Sequence, residues 1–116
     1  LNGQIFVFMI MAVAAAEAAF AGGLGAKIEI SRLSHDLSGE NVAAALLFSE
    51  SNTRFLCEVP AAKKRQFEQH FRDASPIAAI GEVTNDARLV FSIQNNDLID
   101  ADLGELKESW QRPLRW

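Results

Sequence analysis

The sequence predicts an α+β fold, a mostly antiparallel four-stranded sheet covered by helices. Three observations carry it. Four short runs, Ala26 to Ile30, Arg54 to Val59, Ile77 to Thr84 and Arg88 to Ile93, are rich in β-branched or alternating apolar residues and read as strands. The segments between and around them carry helical spacing with recognisable caps, giving the order α-β-α-β-α-β-β-α. The chain also has the size of one domain: 116 residues, 49 % apolar and 22 % charged, suffice for a core without covalent staples. There is no internal repeat, low-complexity tract or linker.

Each element follows from its residues. From Ile5 to Ala21 the only charge is Glu17. A membrane span needs about 20 apolar residues, and this run is shorter, alanine-rich and broken by a carboxylate. Ala19-Phe20-Ala21 mimics a signal-peptide cleavage site, but no basic residue precedes Ile5 and Glu17 sits where such peptides avoid charge. The run therefore reads as a buried core helix ended by Gly22-Gly23. Residues 1–11, crowded with Phe and Met, are the part least tied to that helix and can be foreign to the domain. A start at Leu1 suggests a piece of a longer chain.

Ser31 to Gly39 is polar and reads as a loop. Glu40 to Phe48 is a short helix with Val42, Leu46 and Leu47 inward. Pro60 suits the first turn of a helix running to about Asp73, with Phe67 and Phe71 on one face. Asn85-Asp86 is the expected turn of a hairpin between the third and fourth strands. Asp102 caps a last helix with Glu105 as its capping-box partner, Leu103, Leu106 and Trp110 form its apolar stripe, and Pro113 stops it.

Charge narrows the function. Eleven basic against 15 acidic residues give a net charge of −4 and a pI near 5.1, against the basic surplus of a nucleic-acid module. Neither nucleic acid nor membrane is an expected partner. The lone Cys57 closes no internal disulfide and suits a reducing compartment, so the expected location is cytoplasmic.

Several residue groups invite chemistry and give way to plainer readings. Gly22-Gly23-Leu24-Gly25 resembles a phosphate loop, but such loops follow a strand and open a helix, whereas here a helix precedes and a strand follows. Cys57, His35, His70 and Asp36 could be drafted into a nucleophilic site, yet Cys57 lies mid-strand as a buried structural thiol, and one cysteine with two separated histidines lacks zinc spacing. Lys63-Lys64-Arg65, with Arg72 beyond, reads as a solvated helix face balanced by Glu68 and Asp73. The most informative segment is Ser49-Glu50-Ser51-Asn52-Thr53-Arg54. Its hydroxyls can satisfy the helix end while Arg54 pairs with Glu50, or its hydroxyls and guanidinium can hold a phosphate or a neighbouring domain's ligand. These residues leave both readings open. No residue is expected to be catalytic or to bind metal.

The run Ala12-Val13-Ala14-Ala15-Ala16-Glu17-Ala18-Ala19-Phe20-Ala21-Gly22-Gly23-Leu24-Gly25-Ala26 resembles the carboxy-terminal region of phosphoribosylformylglycinamidine synthases. Leu47-Phe48-Ser49-Glu50-Ser51 with Arg54-Phe55-Leu56 is similar to that family's Leu-Phe-Ser-Glu-Ser-x-x-Arg-Phe signature. Ile80-Gly81-Glu82-Val83-Thr84 and Glu105-Leu106-Lys107-Glu108-Ser109-Trp110 fit the same ending in the same order, so the resemblance spans residues 12–116. It implies a fold like the carboxy-terminal domain of aminoimidazole ribonucleotide synthetase-like proteins. It also implies a parent ligase that uses ATP, magnesium and glutamine-derived ammonia to convert formylglycinamide ribonucleotide into its amidine in purine biosynthesis. The implied partners are the remaining synthetase domains and a glutaminase, with no cofactor expected on this piece alone. Ser49, Glu50, Ser51 and Arg54 become candidates for a ligand or domain interface. One departure counts against a ligand site in the isolated chain. The family's His-Asp-x-Ser-Asp-Gly-Gly loop should fall near or before Val7 to Met11, where this chain has Val-Phe-Met-Ile-Met. His35-Asp36-Leu37-Ser38-Gly39 looks like it but follows a strand, so it is taken as coincidence. Two expectations result: a noncatalytic domain with an exposed apolar face where its parent docked, a face a homodimer can also use, or a stand-alone ferredoxin-like interaction or ligand-binding module.

Overall fold

The structure, a computed structural model, describes residues 3–7, 22–48 and 55–115. One sheet holds β1 (Gly3–Val7), β2 (Gly25–Glu29), β3 (Leu56–Pro60), β4 (Ala79–Thr84), β5 (Arg88–Ile93) and β6 (Asn96–Asp102), in the spatial order β3-β1-β4-β2-β5-β6. The described helices are α1 (Val42–Phe48), α2 (Lys64–Phe71) and α3 (Leu103–Gln111). All neighbouring strands run antiparallel except β2 and β5, which are parallel. The α+β class, the antiparallel bias and the four expected strands are all present, and β1 and β6 enlarge the sheet to six.

The alternation of β2 sorts the sheet into two faces. Ala26 and Ile28 are buried while Lys27 is exposed. Ile28, Ile30, Leu46 and Ile80 are the largest fully buried side chains, and Leu89, Phe91 and Leu103 join them in one core. Ile30 reaches that core from a 3-10 turn, Ile30–Arg32, that carries the chain off the end of β2. Leu46 and Leu47 of α1 are buried as their spacing requires, with Val42 half-buried beside them. On the opposite face, register sets Lys27 beside Glu82 and Val90, and Val90 beside Asp100.

Four local expectations are corrected. The core helix expected from Ile5 does not include Ile5-Phe6-Val7, which lies in β1, paired to β3 on one side and β4 on the other. β-Branched and aromatic side chains fit an interior strand, which explains the choice. Residues 8–21, with the rest of the expected helix, lie outside the described residues. The expected β4–β5 hairpin does not form, because β2 inserts between those strands. The hairpin partner of β5 is β6, through a two-residue turn in which Gln94 and Asn95 have φ of 49° and 63°. Both left-handed residues together give a type I′ turn, whose twist matches the strands. Pro60 closes β3 instead of opening a long helix, and a 3-10 turn, Ala61–Lys63, precedes α2. Trp110 stands outside the apolar stripe of α3: Leu103 is buried and Leu106 half-buried, but Trp110 is 64 % exposed.

Asp102 does cap α3. The Glu105 backbone N–H donates to its carboxylate at 3.0 Å, while the Leu103 N–H donates to the Ala87 carbonyl at 3.0 Å, tying the helix start to the β4–β5 connection.

Candidate functional site

Ser49, Glu50, Ser51 and Arg54 lie outside the described residues. Their flanks are described. Phe48 ends α1 and Phe55 precedes β3, and these two rings are 63 % and 62 % exposed. The segment thus joins a helix end to an edge strand between two outward phenylalanines.

The glycine run is explained by packing instead of phosphate. Gly23 has φ of 65°, the left-handed geometry of a chain leaving a helix end. Gly25 starts β2, and a Cβ there would stand 2.5 Å from the Thr84 hydroxyl, the Asp86 carboxylate and the Arg88 carbonyl. The connection between β4 and β5 therefore crosses directly over Gly25. Asp86 organises that crossing, accepting from the Thr84 hydroxyl at 2.6 Å and the Arg88 N–H at 3.3 Å. Those donors, the Thr84 hydroxyl first, hold its carboxyl below the usual aspartate range.

Of the residues considered for nucleophilic chemistry, the structure brings two together. Cys57 on β3, half-buried where a buried thiol was expected, and His70 on α2 line the same groove together with Phe67 and Phe71. His70 meets Phe71 edge-on at 5.0 Å between ring centroids, and Phe67 and Phe71 lie 4.8 Å apart, as the i, i+4 spacing requires. His35 and Asp36 sit elsewhere, where His35 Nδ1 accepts from the Leu37 N–H at 3.2 Å. Among the described residues no third carboxylate, imidazole or thiol completes a metal-holding group.

The densest polar constellation is one that sequence reasoning did not single out. Glu29, at the end of β2, accepts from the Gln94 N–H at 2.8 Å, the Asn95 N–H at 3.2 Å, the Ser31 N–H at 3.3 Å and the Ser31 hydroxyl. One carboxylate thus pins the β5–β6 turn to the 3-10 turn after β2. Partial desolvation pushes the Glu29 carboxyl up, and the Ser31 hydroxyl with the three N–H donors outweighs it, leaving it below the ordinary glutamate value. Beside this clamp lies a cavity of about 320 Å³ on the polar face of the sheet, bordered by Lys27, Arg32, Glu82, Ser92 and Asp97. Ser92 is buried, and its hydroxyl donates to Asp97 at 2.7 Å. The available signal was the Lys27-Ile28-Glu29 alternation, which announces a polar face; the turn opposite it, Gln-Asn, lacks the glycine that marks such turns.

Residues 11–94 match the family model described as AIR synthase related protein, C-terminal domain. The chain is 31 % identical over 107 residues to the phosphoribosylformylglycinamidine synthase subunit PurL of Alkaliphilus metalliredigens, covering 90 % of this chain and 13 % of that protein. It is 36 % identical over 94 residues to PurL of Lactobacillus acidophilus, covering 78 % of this chain and 12 % of that one. The chain therefore spans about an eighth of the length of these curated relatives. Its fold is that of part of T. maritima PurL: the ATP complex superposes with a TM-score of 0.76 at 14 % identity, over 90 % of this chain and 25 % of that one. The complex of the same protein with FGAR gives 0.73 at 17 % identity, over 86 % and 17 %.

Proposed function

Because the chain belongs to the AIR synthase related protein, C-terminal domain family, we propose that it serves as the carboxy-terminal domain of a phosphoribosylformylglycinamidine synthase. The parent is then an ATP- and magnesium-dependent carbon–nitrogen ligase of purine biosynthesis, converting formylglycinamide ribonucleotide to its amidine with ammonia from a glutaminase partner. The observation that carries this is the family match over residues 11–94, joined by relatives at 31 % and 36 % identity. ATP belongs to the parent on the precedent of T. maritima PurL complexed with ATP and ADP. Among the described residues no three ligating groups converge, so they do not fit a magnesium site. The domain's role is structural within the parent, in the cytoplasm, and the chain is noncatalytic by itself. Among the described residues no helix is long and apolar enough to cross a membrane.

Within that reading Ser49, Glu50, Ser51 and Arg54 brace an interface with the other synthetase domains. The exposed Phe48 and Phe55 on either side supply the apolar contact such an interface needs.

A chimera tests the proposal. The corresponding domain of L. acidophilus PurL is replaced by this chain, and unfolding is followed by calorimetry. One cooperative transition shared with the rest of the enzyme is expected; a separate, independent transition would overturn the assignment. The 116-residue chain given ATP, magnesium, formylglycinamide ribonucleotide and ammonia is expected to turn over nothing, and turnover would equally overturn it. In the chimera, Arg54→Ala is expected to lower the transition temperature while leaving KM for the ribonucleotide unchanged; a raised KM would move the segment to the ligand.

A further inference from the structure

The cavity on the polar face has a charge pattern that selects one kind of ligand. Lys27 and Arg32 border it, and neither makes an ion pair among the described residues. Of its three carboxylates, Glu29 is already occupied by four donors, and Asp97 accepts from Ser92 through Oδ1 only. Glu82, directly across the β2–β4 ladder from Lys27, is exposed and makes no ion pair among the described residues. An anion alone would enter a site with more carboxylates than cations. A cation alone would meet an ammonium and a guanidinium. A small molecule carrying both charges satisfies both sides, and about 320 Å³ lies at the small end of ligand pockets.

We propose that this cavity binds a small zwitterion of the α-amino-acid class, its carboxylate on Lys27 and Arg32 and its ammonium on Glu82 and Asp97. Arg32 presents the planar fork that matches a carboxylate, and Lys27 adds a point charge. The Glu29 clamp positions this site without touching the ligand: it fixes the 3-10 turn that carries Arg32 and the hairpin turn that leads into Asp97. The buried Ser92 hydroxyl holds Asp97 from the sheet side.

The test is calorimetric titration of the full chain with glycine, L-alanine, L-glutamate and L-lysine singly, with acetate and methylammonium as half-ligand controls. Saturable binding of at least one amino acid is expected, with each half-ligand at least about tenfold weaker, a difference of about 1.4 kcal/mol. Lys27→Ala, Arg32→Ala and Glu82→Gln should each weaken binding at least about tenfold, and Arg32→Lys should restore part of the loss to Arg32→Ala. Lys27, Arg32 and Glu82 are all exposed, so circular dichroism and thermal melting of the variants should match the parent chain. Absence of saturable binding by all four amino acids overturns the proposal. So does acetate binding as tightly as an amino acid, which would make the site an anion patch, or binding that survives all three substitutions. The result does not depend on the domain assignment, which the chimera tests separately.

Discussion

At the scale of single residues, two positions carry more of the fold than their size suggests. Gly81 sits opposite Ile28 in the β2–β4 ladder, and a Cβ there would stand 2.1 Å from the Lys27 carbonyl. That neighbour is backbone and cannot swing aside, so Gly81→Ala must part the two strands. A loss of about 1–3 kcal/mol is expected, read as a lower urea midpoint with an unchanged slope. Glu29 is the second. Its folded carboxyl lies below the ordinary glutamate value, so its stabilisation is present above the unfolded value and fades as pH falls through the lower folded one. Urea midpoints measured from about pH 6 down through the ordinary glutamate value near 4.3 and below should therefore fall in the parent chain. Glu29→Gln, which cannot offer two charged oxygens to four donors, should start lower, and its deficit should shrink at the acid end. A deficit that stays constant with pH would assign the effect to lost packing instead of charge.

At the scale of elements, the β5–β6 hairpin shows what local sequence can and cannot announce. Its turn has the geometry of Asn-Gly but the residues Gln94-Asn95, both forced to positive φ. Asn95→Gly keeps the N–H that donates to Glu29 and gives the second turn position the residue a type I′ turn prefers, so a melting temperature at or above that of the parent chain is expected. Removing the cap of α3 by Asp102→Ala should cost about 1 kcal/mol, since the Glu105 N–H would lose its acceptor. The same elements explain which parts of the fold were legible. Strands β2, β4 and β5 were visible because alternation and β-branched runs mark them, and Asp102 because capping is a local matter of a few residues. Strand β6 was not, because Asp97, Asp100 and Asp102 are poor strand formers and the turn before it carries no glycine. Those aspartates suit an edge: they discourage further strands from adding there, and Asp100 pairs with Arg88 across the ladder at 2.7 Å. The insertion of β2 between β4 and β5 is a long-range choice of partner, which no local window contains. The polar cavity was hidden for the same reason, since its borders come from β2, the turn after it, β4, β5 and β6.

At the scale of the whole molecule, the sheet is asymmetric. One face carries the apolar core, to which Leu46 and Leu47 of α1 and Leu103 of α3 contribute, while the other sets Lys27 beside Glu82 and Val90 beside Asp100. Trp110 and Leu114 project near the end of the described chain at 64 % and 65 % exposure, and Leu98 is 43 % exposed on the edge strand β6. Neither Trp110 nor Leu114 is held by the core, so replacing them with serine should change stability by no more than about 0.5 kcal/mol. What they supply instead is surface. In the proposed parent synthase the remaining domains would cover it; in the chain alone, a second copy of the chain could do so. Sedimentation of the isolated chain should therefore shift toward a dimer as concentration rises, and the paired variant Trp110→Ser, Leu114→Ser should stay monomeric over the same range. A parent chain that sediments identically at all concentrations would show that Trp110 and Leu114 form no self-association surface. Dimerisation that persists in the paired variant would move the contact to Phe48 and Phe55, beside the segment proposed to brace the synthase.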